Sequence, residues 1–291
     1  MNIEEKSALL EGKKSWYTHK IPSIGLESII LTDGPHGLRM ASATDGGFSL
    51  GQALPSTCFP TAVNLASSFD KTLAQEEGKT IAEECLHYGV SVILGPGACL
   101  KRNPLCGRNF EYFSEDPFLS GVMAGNWIKG AEEQGISTSL KHYVTNNCEN
   151  YRVMSDSIVD ERALNELYLR NFKIAIDIGS PSTIMCSYNS CNGQYLAENE
   201  YLLKNKLREE YAYKGVVMTD WGACHDRVKA IKVGCDLDMP GGVDSNRQSL
   251  IDAYGKDEEF TKCLDISTER VLKLVNKGLA NRKEYHLNKE T

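Results

Sequence analysis

The 291 residues contain no apolar run near the ~20 needed to cross a bilayer. The first twenty, MNIEEKSALLEGKKSWYTHK, are broken by charge throughout, which excludes reading them as a signal or transit peptide. Zinc-like spacing is missing too. Ten cysteines are scattered with no CxxC pair, and the closest, Cys99/Cys106 and Cys186/Cys191, lack histidine partners. Reduced, mostly buried thiols in a cytoplasm are expected, with no metal. There is no internal repeat, low-complexity tract or obvious linker. Positive charge is in deficit, 32 Lys and Arg against 39 Asp and Glu, a formal net of -7. That argues against a nucleic-acid backbone or an anionic membrane as main partner.

What is present is an alternation of short apolar runs and amphipathic helical runs. The strand-like runs are 28–34, 62–68, 89–97, 136–143, 182–188, 215–222 and 235–241; the helical ones include 70–89, 116–135, 160–179 and 199–215. Several helical runs open on Asp or Asn and close on Gly, good N- and C-caps. The strand-like runs are nearly continuous rather than alternating, as expected of parallel strands buried on both faces. Seven such alternations in this length predict a single α/β domain over 1–291, a (β/α)8 barrel with one strand missing, irregular or reversed. A doubly wound sheet is the second choice. Against it, no GxGxxG follows the first run and no GxxxxGK[ST] occurs.

A barrel of this kind places its active site at the C-terminal strand ends. Those ends carry Asp33 in LTDGPHG, Lys141 and His142 in SLKHY, Tyr188 in CSYN, Asp220 and Trp221 in MTDWG, and Asp238 in LDMPG. A long loop, 95–117, brings Arg102, Arg108, Asn109 and Glu111. Each has an ordinary reading. Asp33 suits a turn, Tyr188 a core position, and Asp220 or Asp238 a helix cap. Together they concentrate polar groups where the strand interiors exclude them.

These residues resemble the N-terminal barrel domain of the glycoside hydrolase family 3 β-glucosidases. LTDGPHGLR, FPTAVNLASSFD, VSVILGPG, NPLCGRNFEYFSEDPFLSG, SLKHYVTNN, IMCSYNSCNG and VVMTDWGA match successive blocks of that domain in order, along nearly the whole chain. The resemblance implies retaining hydrolysis of O-glycosyl bonds without a cofactor, releasing terminal β-D-glucose from a β-glucoside or oligosaccharide. It implies Asp220 as nucleophile, with Asp33, Arg108, Lys141 and His142 on the hydroxyls of the −1 sugar. Tyr188 would lie close to the nucleophile, and Trp221 would stack on the neighbouring sugar. Positive neighbours such as Lys141 and Arg108 should lower the pKa of Asp220.

A retaining mechanism also needs an acid/base carboxyl roughly 5–5.5 Å from the nucleophile. In two-domain members of the family a glutamate of a C-terminal α/β sandwich supplies it, and that domain is absent from this sequence. Glu111, Glu115, Glu149 and Asp226 are better read as structural. The single-domain N-acetylglucosaminidase pattern fails, because KHYVTNNCENYRVMSDS has no GHG and no histidine after His142. The expectation is the nucleophile and glycone-binding half of a β-glucosidase, completed by a separate chain or domain. Two alternatives stand beside it: a catalytically silent sugar-binding module, and a Schiff-base aldolase or lyase using Lys141. A third is that the bare barrel mouth, made to be covered by a partner domain, drives self-association, with an exposed apolar patch as its signature.

Overall fold

The computed structural model describes residues 1–40 and 53–281. The last residues, 282–291, where the family resemblance places the start of a linker, lie outside the described residues.

Five parallel strands form the central sheet, in the order Val216–Met218, Thr183–Cys186, Ser137–Tyr143, Val92–Ile93, Leu31–Thr32. Every residue in them is buried, as their unbroken apolar character requires. Beyond this sheet, single bridges continue the succession. Met218 bridges Leu237 in parallel, and Asp238 bridges Glu11 in parallel. The strand Gly12–Lys13 then pairs antiparallel with Tyr17–Thr18, and Tyr17 bridges Ile30 antiparallel. Leu31 N–H donates to the Trp16 carbonyl at 2.9 Å, which returns the succession to its starting strand. The architecture is the expected (β/α)8 type, with a short, irregular first strand and a second that runs backwards.

The run 62–68 is a correction. It forms a helix, Ala62–Ser67, not a strand. Ala62, Leu65 and Ala66 are buried while Val63 and Asn64 face solvent. That is spacing i, i+3, i+4, a helical stripe within a run too short to reveal its period. The two N-terminal strands were invisible for the opposite reason: two residues each cannot display a period at all.

Helices Lys71–His87 and Pro117–Glu133 begin at the expected caps. Asp70 accepts from Thr72 N–H at 2.8 Å, and Asp116 accepts from Leu119 N–H at 2.7 Å. Arg170–Gly179 completes a row of three helices along the sheet, entered through a π-helical turn at Leu164–Tyr168. Asn199 caps Glu200–Glu210. The first two helices touch at Gly130, where an added Cβ would stand 2.0 Å from the Gln75 carbonyl oxygen. Only glycine permits that approach. Trp127, Phe172 and Tyr143 fill the interior behind this row.

Two carboxylates, Asp236 fully buried and Glu132 partly so, tie elements together. Glu132 accepts from Thr138 N–H, Ser182 N–H and Lys277 Nζ. Asp236 accepts from Arg208, Val217 N–H, Ser267 and Arg270. Arg227 clamps the ring by donating to the carbonyls of Leu10, Cys235 and Asp236. All ten cysteines are free thiols, and five of them are buried, fewer than expected. Among the described residues no helix is long and apolar enough to cross a membrane.

Candidate active site

Asp33, Arg108, Lys141, His142, Tyr188, Asp220 and Trp221 all line one cavity of about 140 Å³ at the C-terminal strand ends. The sequence names all seven, drawn from separate segments of the chain.

Asp33 ends the Leu31–Thr32 strand in a tight turn. Arg39 N–H donates to its carbonyl at 2.9 Å, and Gly34 follows at φ +107°. A Cβ on Gly34 would fall 2.1 Å from the Gly37 carbonyl oxygen. The turn reading and the site reading are therefore both right: the turn aims the carboxylate. Lys141 Nζ donates to Asp33 Oδ1 at 2.7 Å. Burial works against ionisation of Asp33, but Lys141, the Gly34 N–H and Arg108 outweigh it and hold its pKa below the ordinary value.

Lys141 and His142 are consecutive yet both line the cavity. The pairing register shifts between Leu140 and Tyr143, an irregularity that frees neighbouring side chains from strict alternation. Arg108 Nη2 lies 2.8 Å from His142 Nε2, and Tyr112 Oη lies 3.0 Å from Nδ1. Arginine has no acceptor, so Nε2 must accept and the ring proton must sit on Nδ1. Burial, then Arg108, Lys141 and Arg152, push the His142 pKa well below its usual value, keeping the ring neutral.

Asp220 follows the Val216–Met218 strand. Its N–H donates to the Cys186 carbonyl at 3.2 Å, and Gly222 N–H donates to the Met239 carbonyl at 2.7 Å. The preceding Thr219 is fully buried and accepts from Met239 N–H at 2.8 Å. Asp220 Oδ1 accepts from Trp221 N–H at 2.7 Å. Oδ2 is buried without a hydrogen bond, 3.6 Å from His142 Nε2, which has no proton to give. Burial raises the Asp220 pKa; Arg108, Trp221 N–H, Lys141 and Tyr188 lower it without cancelling the rise. The expected net lowering is thus corrected: the cations act as anticipated, but desolvation outweighs them.

Three polar or aromatic lining residues escaped the sequence reading: Trp16, Arg39 and Arg152. None ends a central strand. Trp16 sits in the reversed hairpin with its ring 5.2 Å from that of Trp221 and tilted by 41°. Arg152 stacks over Tyr188 at 4.6 Å while Glu149 holds it at 2.6 Å. Other sequence candidates stand elsewhere. Arg102 lies over Tyr168, Asn109 donates to the Asn103 carbonyl, and Asp238 engages Thr219 and Asn246. Asp226 caps the helix Arg227–Val233. Glu111 is buried behind the cavity wall, bonded to Arg108 and 3.8 Å from Lys141. Among the described residues, Asp33 and Asp220 are the only carboxylates lining the cavity.

The arrangement offers one carboxylate oxygen without a close hydrogen-bond partner, fixed cations around it, and a carboxylate-ammonium pair opposite. Such a set has the chemistry to bind hydroxyl groups from both donor and acceptor sides and to act as a nucleophile.

Comparisons with known proteins point the same way. The family description "Glycosyl hydrolase family 3 N terminal domain" matches residues 27–274. Thermostable beta-glucosidase B of Acetivibrio thermocellus is 43% identical over 284 residues, covering 98% of this chain and 38% of that protein. An exo-alpha-(1->6)-L-arabinopyranosidase of Bifidobacterium breve is 42% identical, covering 96% of this chain and 37% of that protein. The structure of beta-glucosidase 3B from Thermotoga neapolitana in complex with glucose aligns with TM-score 0.91 at 37% identity, over 99% of this chain and 43% of that one. The chain thus spans about two-fifths of the length of these relatives.

Proposed function

The chain belongs to glycosyl hydrolase family 3, and from that premise we propose that it is the nucleophile and glycone-binding domain of a retaining β-glucosidase. Asp220 attacks the anomeric carbon and forms a glycosyl-enzyme through an oxocarbenium-like transition state. Lys141, Arg108 and Arg152 donate to the sugar hydroxyls, and Asp33 accepts. Trp221 and Trp16 border the leaving-group side. The observation that carries the reading is the Asp220 Oδ2 atom, buried in the same cavity as the Asp33–Lys141 pair with no close hydrogen-bond partner, the Tyr188 hydroxyl bonding the carboxylate only weakly.

The acid/base carboxyl comes from a separate domain or chain in this reading. Two features support that. The cavity holds no third carboxylate among the described residues. The loops after the strands Val92–Ile93 and Ser137–Tyr143 expose Leu105, Phe110, Tyr151, Met154 and Ile158, and an added Cβ at Gly107 would lie 3.8 Å from the Glu149 side chain. Single exposed apolar residues are ordinary, but five on adjoining loops suit a covered surface. A cytoplasmic location, in keeping with ten free thiols, belongs to the same reading.

The test is to incubate the protein with a 2-fluoro glucoside bearing a dinitrophenolate leaving group, which departs without protonation. Mass spectrometry should find the adduct on the Asp220 peptide. Ordinary disaccharides should turn over about 10²–10⁴-fold below a complete enzyme for want of the general acid. A folded protein that binds glucose but gives no adduct would favour the silent sugar-binding reading. The Bifidobacterium breve relative makes an arabinopyranoside the first competitor to include.

A further inference from the structure

We propose that Glu111 is a positioning residue: it holds Arg108 away from Asp220 and so keeps the nucleophilic oxygen out of an ion pair. The inference rests on the role given to Asp220 above.

The geometry is specific. Arg108 spends Nε on Glu111 Oε1 and Nη2 on His142 Nε2. That same His142 Nε2 is 3.6 Å from Asp220 Oδ2. The guanidinium thus hangs beside the free carboxylate oxygen without bonding to it. Glu111 is 6% exposed and does not line the cavity. It therefore has no direct part in binding sugar. Its second oxygen faces Lys141 at 3.8 Å, while Lys141 bonds to Asp33. One buried carboxylate thus steers both cations that flank Asp220.

Take Glu111 away and Arg108 Nε becomes a buried donor without a partner, a costly state. The nearby acceptor is Asp220 Oδ2. An arginine paired in a fork with Asp220 would stabilise the carboxylate as a spectator ion, occupy the attacking lone pair and block the anomeric carbon. The groups facing Asp220 are Arg108, Lys141, His142, Tyr188 and the Trp221 N–H. Those facing Glu111 are Arg108, Lys141, His36 and Tyr112. Of these, only Arg108 is hydrogen-bonded to Glu111 and also set against His142 beside the free oxygen.

The experiment compares Glu111→Gln, Glu111→Asp and Glu111→Ala with wild type, each first checked for folding by circular dichroism. The readout is the rate of Asp220 labelling by the dinitrophenyl 2-fluoro glucoside across pH. Glu111→Ala should label roughly 10–100-fold more slowly at neutral pH, the scale of one charge-assisted hydrogen bond. Its acid limb should move to lower pH, because the new ion pair favours the ionised carboxylate. Glu111→Asp, which keeps the charge, should recover part of the rate. Glu111→Gln keeps an acceptor without the charge and should fall between. Equal slowing in all three with an unmoved acid limb would mean a merely structural role and would overturn the proposal. If wild type itself takes no label, the glycosidase reading fails instead. Glu111 is then judged by the Asp220 carboxyl ¹³C titration, whose midpoint must drop in Glu111→Ala for the proposal to stand.

Discussion

Lys141 Nζ lies 2.7 Å from Asp33 Oδ1 and 3.8 Å from Glu111 Oε2, so one ammonium group joins a carboxylate facing the cavity to one hidden behind it. The two carboxylates should therefore respond differently to mutation. Asp33→Asn turns one of two hydroxyl-accepting oxygens into a donor and removes the charge, but leaves Lys141 the buried Glu111 carboxylate 3.8 Å away. Glucose affinity should fall about 10–100-fold, while the urea midpoint moves little. Titration calorimetry and denaturation, run side by side, check the pair of outcomes.

Asp220 has a raised pKa, and a nucleophile works only when ionised. Its labelling rate should fall on acidification with a midpoint above the ordinary aspartate value of about 3.9. Tyr188 is one of the groups that lowers the Asp220 pKa. Tyr188→Phe should therefore move the acid limb to higher pH, the direction opposite to Glu111→Ala. A pH series of labelling rates separates the two.

Glu77 lies between the helices Lys71–His87 and Pro117–Glu133, 3.3 Å from Trp127 Nε1. Burial raises its pKa to about 7. The folded state thus holds the proton more tightly than the unfolded chain. The stabilisation is complete below about pH 4.5 and is lost as pH rises to about 7. Glu77→Gln should flatten this dependence. At pH 8 it should raise stability by on the order of 2 kcal/mol, after discounting for partial solvent screening. Urea unfolding at pH 5 and pH 8 decides the sign.

Asp236 is fully buried and holds four donors, with Arg208 Nη2 at 2.6 Å and Ser267 Oγ at 2.7 Å. Asp236→Ala leaves two arginines without their carboxylate, though Arg208 keeps three backbone carbonyls, and should cost about 3 kcal/mol in chemical denaturation. The acid limb of labelling should stay in place if folded protein is recovered.

The seven named cavity residues were legible because a parallel barrel imposes a rule: polar groups at C-terminal strand ends converge. Asp33, Lys141 and Asp220 follow it directly. Trp16, Arg39 and Arg152 do not, since they reach the cavity from a hairpin and two loops whose paths no periodicity records. The helix at Ala62–Ser67 was misread because six residues of small and apolar character satisfy strand and helix patterns alike.

Arg227 donates to the Leu10 carbonyl across 217 residues of chain. The N-terminal hairpin sits between the 236–238 segment and the 29–31 segment, so it waits for a segment far downstream before its backbone groups are satisfied. Contacts this distant slow folding. During synthesis the strand Leu31–Thr32 has only half its neighbours, an edge open to pairing with other chains. Deleting residues 1–19 would make that transient exposure permanent.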